Sequence, residues 1–328
     1  MRLRVINAIA FALLGHSVIV CPQSRENVSS KTFDEWMSEL SNWGRWGNDD
    51  ELGTVNLITA EKRVNAAQLV EKGISVSLAR DLDKSESHHN TDPFKLEMDY
   101  TGLKPEGDQY SVDNYWIRYH GLAHSHLDAL CHVFYEGKMY NGFAQTLVTD
   151  EGGQKLSIQN LADGIFTRGV LIDIAWAMGL PYLEPGTAIL PEDLDAWAAK
   201  SGVQVGSGDV VLIRTGRWAR LDDKGPWKVW ESLAGLHASS IKWLRDRDVS
   251  VVGTHAGVDV IPSGVEGQPF PVHRLLVVAM GTPIFDNLDL EQLSKEAIRQ
   301  NRWEFLFTAA PLRVPGGTGA PLNPIATF

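Results

Sequence analysis

Short β-branched runs that alternate with helical segments, from about residue 30 to the end, restrict this chain more than any other feature. Gly169 to Ile174, Asp209 to Arg214 and Val249 to Gly253 are apolar, β-branched and punctuated by glycine, which reads as strands. Thr32 to Leu40, Ala60 to Lys72, Pro191 to Ala199 and Ala238 to Arg247 carry helical spacing instead. Between the first two helices, Trp43 to Gly53 is an aromatic loop broken by glycines. The alternation predicts a mixed α/β architecture. No internal repeat or long linker interrupts it, so residues 30–328 are expected to form a single domain. Pro311 to Pro324 is expected to lie on its surface as an ordered loop or short strand.

Charge narrows the range of partners. Thirty Lys and Arg against 41 Asp and Glu give a formal net charge of −11. That balance argues against nucleic acid or an anionic membrane as a nonspecific partner, because phosphate contacts need basic residues concentrated on one face. Two cysteines, Cys21 and Cys131, cannot build a disulfide framework.

The amino terminus is read separately. Met-Arg-Leu-Arg is basic, Val5 to Gly15 is almost wholly apolar, and small or polar residues follow to Ser24. Residues 1–29 therefore resemble a secretory leader, the competing reading being a start-site artefact or frayed tail. A leader implies export; without one the protein is expected in the cytoplasm. The apolar run is too short for a stable membrane span.

Chemistry concentrates between positions 120 and 132. Four of the ten histidines fall there, in His120-Gly-Leu-Ala-His124-Ser-His126-Leu-Asp128-Ala-Leu-Cys-His132, where uniform scattering would place about 0.4. Tyr115 to Asp128 alternates like a strand, and on a strand His120, His124, His126 and Asp128 point to one side. Ligands at i and i+2 can meet one divalent ion, and His132 can close the site if the strand turns. Nitrogen and oxygen donors of this kind suit Zn²⁺, Mn²⁺ or Fe²⁺. The plainer alternative is a row of histidines hydrogen-bonded along a polar cleft.

His126-x-Asp128-x-x-x-His132 resembles the metal motif of the cyclase family of hydrolases, the group of the kynurenine formamidases and isatin hydrolases. Ser125 stands where the motif has Thr, and Leu130 where it has Pro. Trp43 to Thr59, Val211 to Arg220, His255 to Ser263, Pro271 to Leu290 and Pro311-Leu-Arg313 are similar to stretches of its longer members, so the resemblance covers nearly everything after residue 30. It implies a mixed-sheet fold of the swivelling β/β/α type. It also implies His126, Asp128 and His132 as metal ligands, joined by His273 and by Asp286 in the place of a Glu, around one or two ions of Zn²⁺ or Mn²⁺. Some formamidases carry a catalytic histidine where this chain has Tyr135.

The implied reaction is hydrolysis of a carbon–nitrogen bond in an aryl-formamide or cyclic amide. A bound divalent ion lowers the pKa of its water from ~16 towards ~7 in favourable cases. A proton carrier must then serve the leaving nitrogen; His124, Tyr135 and His255 are the candidates put forward, with His120 also open. Trp43, Trp46 and Trp116 are expected to frame an aromatic or cyclic substrate. Homo-oligomers are implied by the resemblance. Alternatives are lactone or ester cleavage at the same site, a non-haem Fe(II) oxygenase, and a metal-stabilised binding protein without turnover. The oxygenase reading leaves His132 and Asp286 idle. A serine hydrolase is disfavoured because Gly-x-Ser-x-Gly is absent.

Overall fold

A computed structural model describes residues 27–103 and 110–328. Up to residue 26, the expected leader lies outside the described residues. The elements used below are helices α1 (Ser30–Glu39), α2 (Ala60–Ala67), α3 (Pro191–Ser201), α4 (Arg217–Lys224) and α5 (Glu291–Gln300). The strands are β1 (Ser75–Ser77), β2 (Lys95–Tyr100), β3 (Val112–Trp116), β4 (His126–Asp128), β5 (Ile165–Asp173), β6 (Val210–Arg214), β7 (Val251–Thr254), β8 (Ile284–Asp286), β9 (Glu304–Ala309), β10 (Gly319–Pro321) and β11 (Ile325–Thr327). Among the described residues, no helix is long and apolar enough to cross a membrane.

Nine of these strands form one mixed sheet in the order β1-β11-β9-β5-β6-β7-β8-β4-β10. Its centre, β5 to β8, is parallel. The apolar runs Val170 to Ile172, Val210 to Ile213 and Val251-Val252 are fully buried there, as strands covered on both faces require. Antiparallel strands flank this centre on both sides. The result is the mixed α/β architecture expected, with a curled sheet.

Local sequence explains several helix ends. The Ser29 and Thr59 side chains cap α1 and α2 by accepting from Thr32 and Lys62 N–H. The second helix is shorter than Ala60 to Lys72: it ends at Ala67, after which Leu69 and Val70 N–H close tight turns on the Ala66 and Ala67 carbonyls and Lys72 and Gly73 N–H donate to the Phe328 carbonyl. Pro191 opens α3 and left-handed Gly202 closes it.

One expectation fails: Tyr115 to Asp128 is not a continuous strand. β3 ends at Trp116 and belongs to an exposed two-stranded ribbon with β2, whereas β4 begins only at His126. Between them Gly121 adopts φ +148°, a conformation open mainly to glycine, and bends the chain. The stretch from Pro311 forms the short strand expected, but Gly319–Pro321 joins the main sheet as β10 beside β4 with Ala320 fully buried, so this part does not lie on the surface.

Candidate metal centre

β4 is only three residues long, yet it lies between β8 and β10, paired antiparallel with both. Its register sets Asp286 directly opposite His126 and Ile284 opposite Asp128. His126, Asp128 and Asp286 therefore share one face, and all three are buried. That face forms part of the wall of a cavity of about 350 Å³.

His126 Nδ1 lies 2.8 Å from the His124 carbonyl, which can only accept, so Nδ1 carries the proton and the Nε2 lone pair faces inward. That Nε2 is 3.4 Å from Asp128 Oδ1. His273, in a short helical turn opened by Pro271, is fixed in the same way. Its Nδ1 donates to Asp259 Oδ2 at 2.5 Å, and its Nε2 stands 3.4 Å from Asp286 Oδ2. Asp259 is itself 2% exposed and accepts from Val272 and His273 N–H at 2.7 and 3.2 Å. A carboxylate behind an imidazole whose far nitrogen faces a cluster of donors is how metal-binding histidines are oriented. Sequence reading missed Asp259; it placed His255 to Ser263 among the similar stretches but gave this residue no role.

His120 and His132 complete the wall. Their rings stack at 3.8 Å with an interplanar angle of 1°. His120 Nε2 bonds Thr318 Oγ1 at 3.0 Å, while its Nδ1 lies 3.0 Å from Asp128 Oδ1. His132 Nε2 is 3.9 Å from Asp128 Oδ2. Two groups of donor atoms result, each within 4.8 Å of one another: His120, Asp128 and His132, and His126, Asp128 and Asp286. Asp128 belongs to both.

Electrostatics follow from burying carboxylates among imidazoles. Burial alone would raise the Asp128 carboxyl, but the His132 charge and contacts to His120 and His126 hold it well below the usual range. Asp286 goes the other way, raised by burial with help from the Asp128 charge, against His273 and His126. Burial pushes the His132 imidazole down to about 4; Asp128 opposes this, and the charges of His120, His273 and His126 add to it. Burial also disfavours charge on His273, yet Asp259 and Asp286 outweigh it and raise this imidazole well above its ordinary value. The carboxylates of this wall thus draw positive charge towards it.

The structure gathers all five expected ligands, His126, Asp128, His132, His273 and Asp286, on the cavity wall, and His120 with them. It keeps the three proposed proton carriers away. His124 is 2% exposed and does not line the cavity, because it precedes β4 and the expected strand alternation does not reach it. His255 is fully buried at the start of α4, its Nδ1 near Gly216 and Arg217 N–H and its Nε2 accepting from Leu290 N–H at 2.9 Å. Tyr135 donates to Asp34 and packs edge-on against Phe33, outside the cavity.

The tryptophans expected to frame the substrate lie elsewhere too. Trp43 Nε1 donates to the Val278 carbonyl at 2.7 Å, Trp46 stacks under Arg45, and Trp116 ends the exposed ribbon. Each is engaged in local packing or held on the surface. Phe134, Trp230 and Phe270 line the cavity instead. Trp230 and Phe270 meet edge-on at 6.4 Å and remain 54% and 38% exposed.

The family model described as "Putative cyclase" matches residues 59–259. An isatin hydrolase of Roseibium aggregatum is 25% identical over 255 residues, covering 72% of this chain and 87% of that protein. A solved structure described as a novel cyclase is 30% identical, with a TM-score of 0.80, covering 88% of this chain and 99% of that one. An isatin hydrolase bound to the product analogue thioisatinate shares the fold at 18% identity, with a TM-score of 0.55 and coverage of 82% and 98%.

Proposed function

The chain belongs to the cyclase family, and on that premise we propose that it is a metal-dependent hydrolase cleaving a carbon–nitrogen bond of an aryl-formamide or cyclic amide. The observation that carries this reading is the convergence of His126, Asp128, His132, His273 and Asp286 on one wall of a cavity that also presents the apolar and aromatic side chains of Leu122, Val133, Phe134, Trp230, Leu233 and Phe270.

The residues fit a divalent cation. Asp128 Oδ1 and Asp286 Oδ1 are buried without a hydrogen bond. Buried polar atoms of this kind ordinarily have partners. His126, Asp128, His132 and Asp286, with His273 beside Asp286, would hold the ion through nitrogen and oxygen donors suited to Zn²⁺ or Mn²⁺, and the sharing of Asp128 between two donor groups leaves room for one ion or two. When bound, such a cation activates water and polarises a carbonyl.

The chain's own residues supply the remainder. His124 O and Asp259 fix the tautomers of His126 and His273 and aim both Nε2 atoms inward. Phe134, Trp230 and Phe270 receive an aryl ring and exclude water around it. His120, tethered to Thr318 and beside Asp128, is the proton carrier for the leaving nitrogen, in place of His124, Tyr135 and His255, which lie away from the cavity.

The test is a panel of formylated anilines, isatin-like lactams and lactones, assayed after chelation and after return of Zn²⁺ or Mn²⁺. Metal-restored cleavage of an amide supports the reading; no metal-dependent turnover across the panel contradicts it.

A further inference from the structure

Arg274 is the one Lys or Arg among the described residues lining the cavity. It follows His273 and opens a buried π-helical stretch, Arg274–Met280, so its backbone is set by the same turn that places an expected ligand. Its Nη1 donates to the neutral Gln268 Oε1, and its guanidinium lies 5.8 Å from the Tyr135 ring centroid. Among the described residues no ion pair joins it to a carboxylate. Arg168 and Arg214, also partly buried, each hold two.

That difference has a chemical meaning. A guanidinium stays charged and offers five N–H donors in a fork matched to a carboxylate. Gln268 takes one donor and supplies no charge. The acidic side chains of the same wall are engaged elsewhere: Asp259 with His273, and Asp128 and Asp286 with the imidazole cluster. Arg274 therefore brings a guanidinium that is ion-paired to no described carboxylate to the lining of a cavity that also presents Phe134, Trp230 and Phe270.

We propose that Arg274 binds a carboxylate of the substrate, so that the preferred substrate is an anionic aryl amide rather than a neutral one. The inference deepens the hydrolase reading and rests on it for the reaction. Arg274 acts here as a specificity residue: its guanidinium pairs with the acid group while the aryl ring lies among the three aromatic side chains.

The test compares N-formylaminobenzoates with the matching N-formylaminobenzamides, which differ only in charge at the acid position. Metal-loaded wild-type protein is expected to favour the acid at least tenfold in kcat/KM, through KM. Arg274→Gln should abolish that preference and Arg274→Lys should restore part of it. A purely structural role for Arg274 would depress both substrates alike and leave their ratio unchanged, which would overturn the proposal, as would a wild type indifferent to charge. If neither substrate is cleaved, the hydrolase reading fails separately and benzoate binding by calorimetry decides the inference. At least tenfold weaker binding by Arg274→Gln supports it; equal affinity overturns it.

Discussion

Asp286 faces His126 across an antiparallel strand pair, and this register brings residues 160 positions apart to a common face. A one-residue slip of β8 against β4 would turn Asp286 away from the cavity. The chemistry of the site therefore depends on the sheet and on the groups that hold its side chains in place.

Asp259 orients His273 without facing the other donors itself. Asp259→Asn keeps the shape but withdraws the charge from His273 Nδ1, and should weaken metal retention about 10–100-fold. Competition with a graded series of chelators measures this. Unchanged affinity would remove the orienting role.

The aromatic residues of the cavity separate from those outside it. Trp230→Ala and Phe270→Ala should each raise KM for an aryl amide roughly tenfold, about 1.4 kcal/mol of lost contact. Trp116→Ala and Trp46→Ala should leave KM within about twofold. Steady-state kinetics on the four variants decides it, and an effect confined to Trp116 would place the substrate elsewhere.

Acid sensitivity follows from two histidines away from the cavity donors. Burial lowers His89 to about 4, helped by the charges of Arg217 and His88, and burial together with Arg214, Arg217 and Arg80 holds His255 well below its ordinary value. A lowered folded-state pKa means that the unfolded chain binds more protons between pH 4 and 6.5 for His89, so stability rises with pH across that window. His89→Gln removes its share of this slope, and should raise Tm relative to wild type more at pH 5 than at pH 7.5. Thermal unfolding at both values checks this; an identical difference at the two would refute it.

Gly281 offers a test of packing. Its φ is +68°, and a Cβ there would meet the Tyr140 ring at 2.4 Å. Gly281→Ala should destabilise the fold by roughly 1–3 kcal/mol through strain and overpacking. Denaturant unfolding measures it, and a neutral result would mean that Tyr140 moves freely.

The parallel strands are legible in the sequence because they are buried on both faces. Val210 to Ile213 needs no partner to declare itself. β4 is not legible, since a three-residue strand takes its identity from β8 and β10, and the alternation from Tyr115 conceals the bend at Gly121. His126, Asp128 and His132 could be singled out because i+2 and i+6 are local spacings. Asp259 could not, because its role exists only once Pro271 brings His273 against it. The tryptophans misled for a general reason: an indole serves packing as well as recognition, and the Trp43 N–H is already taken by the Val278 carbonyl.

The central claim is that the wall around Asp128 holds a catalytic divalent cation. Elemental analysis of purified protein beside Asp128→Ala, with kinetics on the same samples, tests it most directly. The wild type should carry stoichiometric Zn or Mn, whereas the variant should lose the metal and about 10³-fold or more of kcat/KM, equivalent to about 4 kcal/mol, while keeping a cooperative unfolding transition. A folded Asp128→Ala protein that retained both metal and full turnover would contradict the account.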